Sequence, residues 1–326
     1  MSRLENLGEQ GFLEEVAGWV KTKNPAVRVS IGDDALVLTG GIVVTSDSYE
    51  EGVHFSNLYF TAEDIGFKSA GAAISDLAAM GAEPICILLN LFAPGDLEVA
   101  FLKRVYEGME AVCSPLTCEI AGGDTVASSK LILSLTALGK TDAPFLRSTA
   151  SAGDLLYVSG FPGLSAVGQR VLAIRRKLEG FSSAKQRHLR PEPRIDLGIE
   201  LRGRVSACMD TSDGLSTDAG RLAKASGVKL VIEHQKLPQH PEIARYTEQF
   251  SGHWDSLALN GGEDYELLFT APPELPDRIA GLPIHCIGRI EKVEGGEEGC
   301  VTGEGAFLEI NGELKSLEPR GFDHFR

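Results

Sequence analysis

The sequence predicts a mixed α/β (α+β) protein of two domains, and three observations carry that expectation. Segments of helical period alternate with short apolar or β-branched runs along the chain. The 326 residues exceed the roughly 250 at which single cores tend to divide. Turn residues collect over 141–154, a boundary that would separate residues 1–145 from residues 146–326.

The elements follow in order. A first helix is expected over 7–20 and a β-branched strand over 42–46. Thr61-Ala62-Glu63-Asp64 is a helix-opening signature, because a hydroxyl at the cap and an acid three residues later satisfy free N–H groups. An Ala-rich helix should then run over 61–80. Residues 85–92 read as a buried strand, 96–112 as helix and 131–138 as strand. After the turn Ala152-Gly153-Asp154, strands are expected over 155–159, 205–209, 229–233, 265–270 and 284–290. Helices are expected over 163–178, 193–201 and 215–225. The polar, basic stretch 180–194 has the composition of a solvated loop, with an interdomain strap as the alternative.

Composition excludes several function classes. With 46 Asp and Glu against 31 Lys and Arg, a net charge of −15 argues against a basic face for nucleic acid or an anionic membrane. No secretory address or membrane-spanning run is visible, so a cytoplasmic protein is expected. The six cysteines, Cys300 among them, show no Cys-x-x-Cys pair, which reads as reduced thiols rather than a zinc site. Glycine is in excess, 37 of 326 or about 11% against a usual roughly 7%.

Much of that glycine stands beside acids. The segments are Gly32-Asp33-Asp34, Thr45-Ser46-Asp47, Ser75-Asp76, Gly122-Gly123-Asp124-Thr125, Asp210-Thr211-Ser212-Asp213-Gly214 and Gly261-Gly262-Glu263-Asp264. Each alone reads as turn and cap chemistry. Together they are hard oxygen donors suited to Mg²⁺ or Ca²⁺. Asp76 departs from the turn reading, since a carboxylate inside an Ala-rich helix is costly unless paired or metal-bound. Asp210 ends an apolar strand, and Ser212 or Asp213 could cap the next helix, whose N-terminus could instead hold phosphate. Gly163 and Gly168 have Walker spacing, but Gln169-Arg170 stands where Lys and Ser/Thr are needed, so nucleotide chemistry must use another design.

In this order the segments resemble the thiamine-monophosphate kinase family, within the superfamily of aminoimidazole ribonucleotide synthetase. The resemblance extends through Glu51-Gly52-Val53-His54-Phe55, His188-Leu189-Arg190-Pro191, Gly261-Gly262-Glu263-Asp264-Tyr265-Glu266-Leu267 and Gly321-Phe322-Asp323-His324-Phe325. It implies the aminoimidazole ribonucleotide synthetase-like fold, in which the N-terminal domain forms a shared β-barrel in a homodimer and the C-terminal domain is α/β. The implied reaction is ATP-dependent phosphorylation of thiamine monophosphate with several Mg²⁺ ions. Implied metal ligands are Asp34, Thr45, Ser46, Asp47, Asp76, Asp124, Asp210 and Asp213, of which Asp76, Asp124 and Asp210 are the implied catalytic set. Implied ATP contacts are Tyr106, Gly123, Asp124, Arg147 and Ser212, and implied substrate contacts are His54, Glu263 and Phe322. Another ATP-using enzyme of the superfamily and a non-catalytic nucleotide- or thiamine-phosphate-binding protein are the competing readings.

Overall fold

The computed structural model describes residues 3–174, 178–293 and 303–325. Within them, strands β1 (Val27–Val29), β2 (Leu36–Leu38), β3 (Ile42–Glu50), β4 (Glu83–Ala93), β5 (Glu119–Ala127) and β6 (Ile132–Lys140) form one sheet, ordered β1-β2-β3-β6-β4-β5. Its pairings are antiparallel except β4 with β5. Strand β5 was not expected, because its Gly122-Gly123 pair reads as a turn. In place, it is pulled into the sheet by parallel pairing to the apolar β4.

Helix α1 (Leu4–Trp19) precedes this sheet, and α2 (Ala62–Ala79) and α3 (Val99–Cys113) pack together. The expected capping box at the start of α2 is present: Asp64 N–H donates to Thr61 Oγ1 at 3.1 Å, and Thr61 N–H donates to the Asp64 carboxylate at 3.2 Å. The helices approach so closely that a Cβ on Gly66 would lie 1.8 Å from the Val105 carbonyl oxygen. Glycine is therefore required at this crossing.

The second sheet holds β7 (Leu155–Ser159), β8 (Ala207–Asp210), β9 (Lys229–Glu233), β10 (Leu267–Ala271), β12 (Leu282–Glu291), β13 (Gly305–Ile310) and β14 (Glu313–Ser316), ordered β14-β13-β9-β12-β7-β10-β8, with β11 (Arg278–Ile279) on β12. Around it lie α4 (Leu164–Ala173), α5 (Ser182–Leu189), α6 (Ile195–Glu200), α7 (Leu215–Ser226), α8 (Pro241–Phe250) and α9 (Trp254–Asn260). The expected helix over 163–178 is α4, and residues 175–177 and Cys300 fall outside the described residues. One apolar core runs from α2 into both sheets, and α2 touches β3 and β6 on one side and β8 on the other. Its acids therefore open between the two sheets.

The stretch 180–194 is not a solvated loop. It folds as α5 and the short link to α6, and its cations are partnered: Arg194 forks onto Glu266 at 2.5 and 2.9 Å, Arg187 reaches Glu266 at 3.0 Å and Arg190 reaches Asp64 on α2 at 2.5 Å. Composition could not reveal this, because the carboxylates that neutralise it lie more than 70 residues away in sequence for Glu266 and 126 for Asp64. Gly214 stands at the cap of α7, and neither Ser212 nor Asp213 caps it; Gly214 N–H donates instead to Asp218 Oδ2 at 3.1 Å.

Candidate active site

Helix α2 brings Asp76 to the end of the cleft where both sheets converge. Thr45 Oγ1, from β3, donates to Asp76 Oδ2. The preceding Ser75 donates to Asp210 Oδ2 at 2.6 Å, joining α2 to the end of β8. Asp34, Asp76 and Asp210 each place one carboxylate oxygen within 4.8 Å of the others. Burial, then repulsion from Asp47 and Asp210, pushes Asp76 well above the carboxylate range. Burial and Asp34 push Asp210 up to about 7, and Asp33 rises to about 6 for the same two reasons. Asp47 is also raised, first by burial, although Tyr49 donates to its Oδ2 at 2.9 Å. Such a cluster carries more negative charge than the arginines at its margin offset, and its donors are all hard oxygens, so the residues fit Mg²⁺.

Cations stand at the margin. Arg147 forks onto Asp34, with Nε donating to Oδ2 at 3.0 Å and Nη2 to Oδ1, while its backbone N–H faces the Asp33 carboxylate at 3.3 Å. Arg221 on α7 pairs with Asp213 at 2.5 Å and reaches Asp218 at 3.4 Å. The Ser212 carbonyl accepts from Glu263 N–H at 2.7 Å, which ties the two acidic loops of the second sheet together.

The other end of the cleft is built from Glu263, His54 and Phe322. Glu263 and Tyr265 have φ of +64° and +50°, a left-handed backbone that non-glycine residues adopt at a cost of roughly 1–3 kcal/mol and that clusters at functional sites. Lys68 Nζ, buried on α2, lies 2.6 Å from Glu263 Oε1. His54 Nδ1 accepts from Glu50 N–H at 3.0 Å, and burial, followed by His324 and Lys68, lowers its pKa to about 4. The ring is therefore neutral at pH 7. Phe322 N–H donates to the Asp213 carbonyl at 3.0 Å, and its ring meets His324 edge-on at 4.8 Å. Gly321 permits this docking, since a Cβ there would lie 2.0 Å from the Asp213 carbonyl oxygen.

A cleft of about 1250 Å³ joins the two ends. Asp34, Thr45, Ser46, Asp47, Asp76, Arg147, Asp210, Ser212 and Asp213 line one part, and His54, Glu263 and Phe322 another. Tyr106, Gly123 and Asp124 do not line it. The register explains why for Gly123: Asp47 pairs with Leu135, Leu135 with Leu89 and Leu89 with Gly123. Three strand spacings, about 14 Å, therefore separate Asp47 from the Gly123-Asp124 pair in one chain. Sequence reasoning missed Lys68, Arg221 and Asp218. Lys68 carried the same signal as Asp76, a charge in an Ala-rich helix, whereas Arg221 and Asp218 look like an ordinary solvated pair.

Residues 32–141 match the family model described as AIR synthase related protein, N-terminal domain. The thiamine-monophosphate kinase of Aquifex aeolicus is 37% identical over 328 residues, covering 99% of this chain and 100% of the relative. That of Bacillus subtilis is 33% identical over 92% of this chain and 94% of the relative. The AaThiL structure complexed with AMPPCP and TMP superposes with a TM-score of 0.88 at 35% identity, covering 99% of each chain. Similarity at this level along the full length of both chains, on the expected fold, means that the chain belongs to the thiamine-monophosphate kinase family.

Proposed function

We propose that this chain transfers the γ-phosphoryl group of ATP to the phosphate of thiamine monophosphate, giving thiamine diphosphate and ADP, and that it does so in the cytoplasm. The observation that carries this reading is the convergence of Asp34, Asp76 and Asp210 in a cleft of about 1250 Å³. The superposing AaThiL structure is complexed with AMPPCP and TMP, which supports ligands of those two kinds. Bound Mg²⁺, held by Asp34, Asp76 and Asp210 with Asp47, Asp213, Thr45 and Ser46 close by, would neutralise the repulsion between two polyanions. A phosphate oxygen of thiamine monophosphate forms the new bond to the γ-phosphorus as the bond to the bridging β–γ oxygen breaks. The acceptor is already an anion, so no side chain needs to remove a proton from it.

The chain's own residues orient the partners. Arg147, on the cleft wall beside Asp34, offers its guanidinium to nucleotide phosphate, and Ser212, on the loop after β8, lines the same cleft. His54, Glu263 and Phe322 take the thiamine end, where a carboxylate and an aromatic ring suit a cationic substrate built of two flat heteroaromatic rings, one of them amino-bearing. Residues 1–145 supply most of the metal set and residues 146–326 complete the site. Tyr106, Gly123 and Asp124 act across a homodimer, in which β4 and β5 meet a second copy. Exposed Ile85, Leu88 and Val126 on those strands support that contact. The test is product analysis with ATP, Mg²⁺ and thiamine monophosphate. Thiamine diphosphate and ADP in equal amounts are expected; binding without ADP would point to a non-catalytic binder, and a different product to another enzyme of the superfamily.

A further inference from the structure

Lys68 has a feature that the metal cluster and the nucleotide contacts leave unexplained. Its side chain is only 2% exposed, yet it carries an ammonium into the apolar packing of α2. Burying such a group is costly unless it is paired, so its ion pair has a use beyond packing. Two contacts define it, and a third holds its partner. Nζ is 2.6 Å from Glu263 Oε1. It stands 5.3 Å from the centre of the Phe60 ring. On the other side of the same carboxylate, His188 Nδ1 is 3.5 Å from Glu263 Oε2. Burial, then Lys68, lowers His188 well below the imidazole range, so His188 is neutral and the charge facing Glu263 is that of Lys68.

Glu263 needs such a partner. It sits in a left-handed backbone conformation between two glycines and a buried aspartate, and its side chain is 24% exposed on the cleft wall. Unpinned, a glutamate on that loop would sample several rotamers. Lys68 and Asp76 belong to one helix and are separated by eight positions, about 12 Å of rise. The rigid α2 thus fixes the distance between the acidic cluster and Glu263.

We propose that Lys68 is a positioning residue: it pins one oxygen of Glu263 from behind, so that the carboxylate presents its remaining acceptor capacity to the amino-bearing heteroaromatic ring of the substrate. The assignment rests on the thiamine-monophosphate reading of the site. It predicts that Lys68 governs the acceptor and not the nucleotide, although both ligands share the cleft.

Calorimetry with thiamine monophosphate and, separately, AMPPCP, each with Mg²⁺, tests it in the full chain. Lys68→Met should weaken thiamine monophosphate about tenfold or more, the scale of one charged hydrogen bond, with AMPPCP changed less than about twofold. In a Glu263→Gln background, Lys68→Met should add little further loss, because the pinned group is already gone. Equal affinity for thiamine monophosphate in wild type and Lys68→Met, or parallel weakening of both ligands, would overturn the assignment. Should Lys68→Met not fold, Lys68→Arg decides. That change keeps the charge but moves the donors, so it must still weaken thiamine monophosphate more than AMPPCP, and any other result overturns the proposal. Wild type that fails to bind thiamine monophosphate would overturn the functional reading and this assignment together, whereas a normal wild type with an indifferent variant overturns this assignment alone.

Discussion

At the residue scale, the central feature is a set of carboxylates held closer than their charges favour. Asp210 illustrates the consequence for stability. Its pKa rises from 3.8 to about 7 on folding, through burial and the neighbouring Asp34. A raised folded-state pKa contributes stability fully present below the unfolded value and lost as pH climbs through the folded one, here from about pH 4 to about pH 7. In Mg²⁺-free buffer, Asp210→Asn should therefore gain in Tm relative to wild type as pH rises across that window. Parallel Tm curves for the two proteins would contradict the electrostatic account. Added Mg²⁺ should raise the wild-type Tm most at the upper end of the window, where the cluster is ionised. Asp76→Asn should reduce kcat by roughly 10²–10³-fold, the scale of one lost electrostatic contact to a transition state. Steady-state assays on a variant with unaltered circular dichroism check this. Asp76 and Asp210 stand out in the sequence as acids in apolar surroundings, Asp34 and Asp47 only as members of a set of acidic segments that singly read as turns, and His54 only through resemblance.

At the scale of elements, α2 links the fold to the site. Its capping box was visible in Thr61-Ala62-Glu63-Asp64, and its length matched the expectation almost to the residue. The close crossing with α3 was not visible, because a glycine in an Ala-rich helix looks merely permissive. Propensity predicts that Gly66→Ala stabilises a helix by about 1 kcal/mol. The 1.8 Å approach of a Cβ to the Val105 carbonyl predicts the reverse, a loss on the order of 1–3 kcal/mol from overpacking. Urea denaturation distinguishes the two signs. The buried pair between Arg194 and Glu266 behaves similarly: Glu266→Gln leaves a buried guanidinium without its counter-charge, and a loss of about 3–5 kcal/mol is expected in the same assay. The basic stretch looked solvated because sequence composition registers charge and not its distant partner.

For the whole molecule, the excess of acid takes on a local meaning. Part of the net charge of −15 is concentrated in one cleft, where bound divalent cations would reverse its sign for two phosphorylated ligands. Among the described residues, no helix is long and apolar enough to cross a membrane. Within one chain, Gly123 and Asp124 stand about three strand spacings from Asp47. If a second copy supplies them, Leu88→Asp on the exposed face of β4 should yield a monomer in sedimentation and lower turnover by at least roughly 100-fold, whereas a fully active monomer would refute the arrangement. The central claim, that the convergent acids form the metal centre between two phosphorylated ligands, is tested most directly by anomalous diffraction from crystals grown with Mn²⁺, AMPPCP and thiamine monophosphate. The account predicts anomalous peaks bounded by Asp34, Asp76 and Asp210 and lying between the two phosphate chains; ligand-bound crystals with no peak there would contradict it.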